Sequence, residues 1–302
     1  MWAGEPWFQE EMPIESEIVK SAAERNDVAV IVIARTAGED HDNADEEGSY
    51  KLTDKEELLL KEVTANFENV VVALNVGNII DLSFLDKYPI DSLLFIWQGG
   101  EEGANAFADV LSGKLSPSGK LTDTIAFSIE DYPSDANFGD REKNIYKEDI
   151  YVGYRYFETL AKDKVMFPFG FGLTYTKFNI EYTSKENNGI ITITAKVTNI
   201  GICSGREVVQ VYFKAPCVKL GNPARQLISF AKTKELKPNE SEILIMNFNI
   251  CDMASYDDIG ITGNKSCYIL EAGDYEIYAG TNVRSSENIF TYTVKELTLI
   301  IR

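Results

Sequence analysis

Between about Glu15 and Pro133 the chain alternates amphipathic stretches with short, nearly continuous apolar runs rich in β-branched residues. The runs are Val28-Ala-Val-Ile-Val-Ile, Val70-Val-Val-Ala-Leu-Asn-Val and Leu93-Leu-Phe-Ile-Trp. Runs of this length without polar alternation suit strands buried on both faces, and the spacing of apolar positions between them suits helices. Helices are expected over residues 16–25, over 54–67 behind a Thr53 cap, and over 101–111 with Gly113 closing the last turn. Strands alternating with helices in this way specify an α/β domain with a parallel sheet.

After Phe169-Gly-Phe-Gly the helical period disappears. Short alternating segments follow at 190–198, 207–213, 243–250, 275–279 and 289–294, separated by turn residues. A stretch of roughly a hundred residues patterned like this is expected to form an immunoglobulin-like or fibronectin type III β-sandwich. The fold class is therefore α/β plus all-β, with residues 1–177 forming the α/β domain with its connector and 178–302 the β-sandwich. The segment 133–175, rich in aromatics and glycine but without periodicity, is expected to run over the first domain as an irregular connector.

Composition narrows the function. The formal net charge is −19 and the acids are spread along the chain, which argues against a phosphate-backbone partner. No apolar run approaches the ~18 residues that span a bilayer. The start, Met1-Trp-Ala-Gly-Glu-Pro-Trp, has neither the basic opening nor the apolar core of a secretory signal. Localisation stays open, tilted toward the cytoplasm. The four cysteines, Cys203, Cys217, Cys251 and Cys267, show no metal-binding spacing and are expected to be free thiols, with one disulfide allowed. With a single histidine, His41, and no cysteine near it, no metal or cofactor is expected.

In an open parallel sheet, ligands gather at the carboxyl ends of the strands. The loop after the first run, residues 35–51, is long and acidic, and its residues Glu39, Asp40, Asp42, Asp45, Glu46 and Glu47 have similar claims to chemistry. Paired carboxyl groups are what glycoside hydrolysis needs, one protonated to assist the leaving oxygen and one ionised to attack or to activate water.

Five segments carry a resemblance. They are Arg35-Thr-Ala-Gly-Glu-Asp-His-Asp, Trp97-Gln-Gly-Gly-Glu-Glu-Gly, Leu115-Ser-Pro-Ser-Gly-Lys-Leu, the stretch 148–178 (EDIYVGYRYFETLAKDKVMFPFGFGLTYTKF) and Val209-Gln-Val-Tyr. In order and spacing they resemble the second half of a β-glucosidase of glycoside hydrolase family 3. The resemblance implies that Glu39 is the general acid/base, because Ala37-Gly-Glu-Asp-His-Asp-Asn stands where the family has a pattern close to Ser-Gly-Glu-Gly-Tyr-Asp-Arg. Asp40, His41 and Asn43 depart from that pattern. His41 and Asp42 are implied to contact the sugar or to brace the loop, and Glu46 and Glu47 to solvate its tip.

The family's nucleophile is an Asp on a separate (β/α)8 barrel, commonly within Ser-Asp-Trp, a tripeptide absent here. The implied function is retaining hydrolysis of terminal β-D-glucosyl residues, with the barrel supplied in cis or in trans and a homo-oligomer left open. The matching family domain has about twice the βα units seen before Pro117, so the resemblance implies that residues 1–177 form only a partial α/β sandwich domain. The alternative is a noncatalytic carbohydrate-binding or scaffold module of the same fold.

Two other features compete for function. Trp97-Gln-Gly-Gly-Glu-Glu-Gly could expose backbone N–H groups to an anion, but Glu101 and Glu102 would repel it, so a packing turn is expected. Tyr151, Tyr154, Tyr156 and Phe157 could stack a sugar, but a packing role is expected for them.

Overall fold

A computed structural model describes residues 11–35, 42–140 and 142–300. Contacts divide it into two compact units, residues 1–111 with 127–129, and residues 112–126 with 130–302.

The first unit contains α1 (Ser16–Ala23), β1 (Val28–Ala34), α2 (Asp54–Thr64), β2 (Asn69–Asn75), α3 (Phe84–Lys87), β3 (Ser92–Phe95) and α4 (Gly103–Leu111). The three strands form a parallel sheet in the order β1-β2-β3, with Ile31 beside Val72 and Leu93 beside the same Val72. On one face, Ile31, Ile33, Val70, Val72 and Leu74 are buried together with Leu60 and Val63 of α2, which contacts both β1 and β2. Leu60 is wholly buried, so its truncation to alanine should cost about 2–5 kcal/mol.

The other face of β1 is open. Val28, Val30 and Val32 are 51%, 45% and 51% exposed, although parallel strands are ordinarily covered on both sides. Helix α4 likewise has no buried residue.

The turn into α4 is a close approach. A Cβ on Gly99 would lie 2.7 Å from the Cα of Gly103, and Gly100 has φ +62°. Gly99 is thus required by backbone packing and Gly100 by its left-handed backbone, so the segment is built as a packing turn.

The second unit adds β4 (Ile125–Ala126), α5 (Tyr154–Leu160), β5 (Val165–Phe167), β6 (Phe178–Asn187), β7 (Ile190–Asn199), β8 (Val208–Lys214), β9 (Gln226–Lys232), β10 (Ser241–Asn249), β11 (Ser255–Asp257), β12 (Cys267–Leu270), β13 (Gly273–Gly280), β14 (Glu287–Val294) and β15 (Thr298–Ile300). Sheet β10-β7-β6 lies over sheet β14-β13-β8-β9 in an antiparallel sandwich, with β11-β12-β15 as a small third sheet. The core comes from alternate positions of both sheets, including Ile191, Ile193, Leu244 and Met246 from one and Val209, Val211, Tyr275 and Ile277 from the other. Alternation puts one side of most strands inside and the other in water, whereas β8 is buried on both faces. The expected architecture, α/β with a parallel sheet followed by an all-β sandwich, is the one observed.

Residues 112–126 and 130–177 pack in the same unit as the sandwich. There β4 pairs with β5, and Ala126, Phe157, Ala161 and Val165 form a small core flanked by Tyr132 and Tyr156. The Tyr132 hydroxyl donates to Thr124 O at 2.8 Å and accepts from Ala126 N at 3.1 Å. The Tyr154 ring stacks on Phe169 at 4.5 Å, and its hydroxyl accepts from Leu227 N at 2.8 Å. Of the four aromatics named above, Phe157 is fully buried, whereas Tyr151, Tyr154 and Tyr156 are half-buried. All four cysteines are free thiols. No helix among the described residues is long and apolar enough to cross a membrane.

Candidate active site at the end of the first strand

β1 ends at Ala34, and Arg35 N continues its ladder by donating to Asn75 O at 3.1 Å. The chain leaves the sheet here at the carboxyl end of a parallel strand. It returns through residues 42–52 to the first turn of α2. Why α2 starts where it does is plain from Thr53-Asp-Lys-Glu56. Thr53 Oγ1 accepts from Glu56 N at 3.2 Å, and Glu56 Oε2 accepts from Thr53 N at 2.8 Å, a reciprocal capping box.

Glu56 is also the partner of Arg35. The guanidinium donates to Glu56 Oε1 at 2.5 Å from Nη1 and to Oε2 at 2.7 Å from Nη2. The side chains are only 10% and 3% exposed. A forked, two-bond pair of this kind is the strong form of an ion pair, and burial makes each of its bonds consequential.

The returning arm is fixed by its own bonds. Asn43 Nδ2 donates to Ile79 O at 2.6 Å, Ala44 N to Ser49 Oγ at 2.9 Å, Tyr50 N to Ala44 O at 3.1 Å and Asp81 N to Tyr50 O at 2.8 Å. Tyr50 is buried and anchors the arm in the core, while Lys51 pairs with Asp45 at 2.9 Å at the surface. Behind α2, the Tyr88 hydroxyl donates to Glu57 at 2.5 Å. That bond, with burial, pushes the phenol up to about 12.

Glu39 and His41, the implied acid/base and its neighbour, lie outside the described residues, as does Asp40. Asp42 opens the described return arm and is exposed. Glu46 and Glu47 are exposed as well, at the turn where Gly48 N bonds Lys51 O at 3.0 Å. Among the described residues no three His, Cys, Asp or Glu side chains group closely enough to hold a metal ion. Sequence reasoning missed Arg35 and Glu56. Glu56 had a local signal, a glutamate three residues after a Thr cap, whereas Arg35 had none, because its partners lie 14 to 21 residues further on.

Residues 13–175, more than half of the chain, match the model of the glycosyl hydrolase family 3 C-terminal domain. The chain belongs to glycosyl hydrolase family 3. Residues 207–283 match a fibronectin type III-like domain. The family 3 chain is 52% identical over 299 residues to a β-glucosidase of Ruminococcus albus, an alignment that takes in 99% of this chain and 32% of that protein. It superposes on a β-glucosidase from Paenibacillus barengoltzii with a TM-score of 0.95 at 51% identity, covering 97% of this chain and 33% of the other. On β-glucosidase 3B from Thermotoga neapolitana, solved with α-D-glucose, the TM-score is 0.89 at 34% identity, covering 98% and 42%. The chain therefore spans about a third of the length of the first relatives it matches.

Proposed function

We propose that this chain supplies the acid/base half of a retaining β-glucosidase active site, with Glu39 as the acid/base and a barrel domain outside the chain as the source of the nucleophile. The observation that carries the reading is the acidic return arm, residues 42–47, that meets the carboxyl end of β1 beside the Arg35–Glu56 pair, in a family 3 chain that spans about a third of the length of its β-glucosidase relatives.

In the first step Glu39, protonated, donates to the glycosidic oxygen while the nucleophile attacks the anomeric carbon. The bond to the leaving group breaks and a glycosyl ester forms. In the second step Glu39, now ionised, takes a proton from water as that water attacks the ester. The sugar leaves with retained configuration, and Glu39 is again protonated. His41 and Asp42 are assigned hydroxyl contacts on the sugar or the aglycone, in keeping with an exposed Asp42 at the mouth of the return arm.

Retention needs the second carboxylate about 5 Å from the first. The purified 302-residue chain is therefore expected to leave aryl β-glucosides intact and to turn them over only when combined with the barrel. Turnover by the chain alone, abolished by Glu39→Gln, would require a local nucleophile such as Asp42 or Asp45 and would overturn the split site.

A further inference from the structure

Trp97 is held in a backbone conformation that does not suit it. Its φ is +51°, in the left-handed region, where a Cβ crowds the neighbouring carbonyl oxygen. Among the described residues the other non-glycine positions with positive φ are Asp149, Asn188, Asn239 and Ser266, whose small polar side chains are those that turns tolerate. Trp97 is the bulky exception. Three residues later, Gly100 takes a φ of +62° without that penalty. A glycine at position 97 would give the same turn unstrained, so the turn does not account for the indole.

Packing accounts for only part of it. The indole meets the Phe95 ring with centroids 5.1 Å apart and planes inclined at 36°, yet Trp97 stays half-buried. Backbone strain of this kind gathers at ligand clamps, where it holds a side chain in place before the ligand arrives.

The sheet register gives the ligand's place. Ala34 stands beside Asn75, and Leu74 beside Phe95, so the three parallel strands end level. Arg35 N and Ile96 N carry the ladders on to their last bonds, with Asn75 O at 3.1 Å and Leu74 O at 3.0 Å. The backbone at Trp97 therefore leaves the sheet at the same carboxyl rim as Arg35, two strand spacings or about 10 Å away. A disaccharide spans that distance. An indole offers a flat apolar face and one N–H donor, a pairing that suits the C–H face and hydroxyls of a pyranose and also suits an aryl ring.

We infer that Trp97 is the platform for the leaving group: ring-shaped aglycones, a pyranose or an aryl group, lie on its indole, whereas a methyl aglycone gains nothing from it. The inference rests on the reading of this rim as the acid/base side of a β-glucosidase site. A general acid meets the glycosidic oxygen, so the group beyond that oxygen lies on the acid's side.

The 302-residue chain tests the contact without catalysis. It has three tryptophans, and the indole N–H resonance missing from Trp97→Phe is that of Trp97. Titration with cellobiose or phenyl β-D-glucoside is expected to shift this resonance, and methyl β-D-glucoside to leave it in place. No shift with any of the three, or an equal shift with all three, overturns the inference.

Trp97→Gly then separates a platform from a packing residue. Its urea midpoint is expected to change little, because relief of strain offsets the lost contact with Phe95. In an enzyme assembled from this chain and a barrel domain, this variant should raise KM for cellobiose and phenyl β-D-glucoside about tenfold, the scale of one lost ring-on-ring contact, with methyl β-D-glucoside unchanged. An unchanged KM, or an equal rise for all three substrates, makes Trp97 a packing residue and overturns the platform. Glu39→Gln is measured alongside. Turnover of methyl β-D-glucoside lost in Glu39→Gln, with KM unmoved in Trp97→Gly, removes only the platform. Turnover retained in Glu39→Gln removes the acid/base reading, and the platform falls with it.

Discussion

Gln210 fills the space in which a side chain on Gly170 would stand: a Cβ there would lie 2.2 Å from the Gln210 amide oxygen. The glycine also has φ +80°, and Gln210 Nε2 bridges Gly170 O at 3.3 Å and Thr281 O at 2.8 Å. The segment after β5 is thereby fitted against β8 by a contact that admits no side chain. Gly170→Ala should destabilise the second unit by about 2–4 kcal/mol, combining left-handed backbone strain with overpacking. Gln210→Ala in the same background removes the clash but not the strain, so the double variant should be less destabilised than the two single effects added. Urea unfolding of the four proteins decides it. Strict additivity would mean that the backbone shifts to relieve the contact.

The two halves of the α2 capping box should differ sharply in cost. Thr53→Ala removes one helix-cap bond and should cost about 1 kcal/mol. Glu56→Ala also leaves the nearly buried Arg35 charge without its carboxylate, which should cost about 3–5 kcal/mol. Similar losses for both substitutions, measured by chemical denaturation, would mean that water enters to solvate the guanidinium.

Alkali should unfold the chain through its tyrosines. Burial pushes the Tyr132 and Tyr275 phenols up to about 12. In the unfolded chain both ionise near pH 10. Their contribution to stability is therefore complete below about pH 10 and is lost as the pH rises toward 12, because the unfolded state sheds protons that the native state retains. Thermal melts between pH 9 and 12 should show this decline, and Tyr132→Phe should flatten it.

Acid/base chemistry by Glu39, as proposed above, should leave a recognisable kinetic signature in an enzyme assembled from this chain and a barrel domain. Glu39→Ala should lower turnover of alkyl glucosides or cellobiose by ~100-fold or more, the scale of a lost general acid. Activated aryl glucosides should suffer much less in glycosylation, and added azide should restore rate by replacing the water that needs a base. Glu46→Ala and Glu47→Ala should leave both substrate types nearly unchanged. If one of those two, and not Glu39, controlled alkyl glucoside turnover, the acid/base would move to it.

The parts of the fold legible in the sequence were those with a strong local signal. β1 and β2 were visible as nearly continuous apolar runs rich in β-branched residues, and the start of α2 followed from the Thr53 cap. β6 was missed although Phe178, Ile180 and Tyr182 alternate and pack on the core, because Thr183-Ser-Lys-Glu-Asn is polar throughout and reads as a loop. β9, at the edge of its sheet, has no buried residue. α3, at four residues, is shorter than any periodicity can register. The connector's order comes from distant partners, such as Tyr154 with Leu227, which no window of sequence contains. At the candidate site, the acidic loop was legible because charge is a local property. Arg35 was not, because its meaning depends on carbonyls and a carboxylate 14 to 21 residues further on.

The uncovered valines of β1 invert the usual rule of protein engineering, that apolar residues in a strand must be left alone. Val28, Val30 and Val32 already face solvent, so replacing Val30 with threonine keeps the branched Cβ that the strand favours and gives up little packing. The expected change in folding stability is under about 0.5 kcal/mol. What such a change would alter is the protein's behaviour as a colloid, raising the concentration at which the isolated chain can be stored before it clouds.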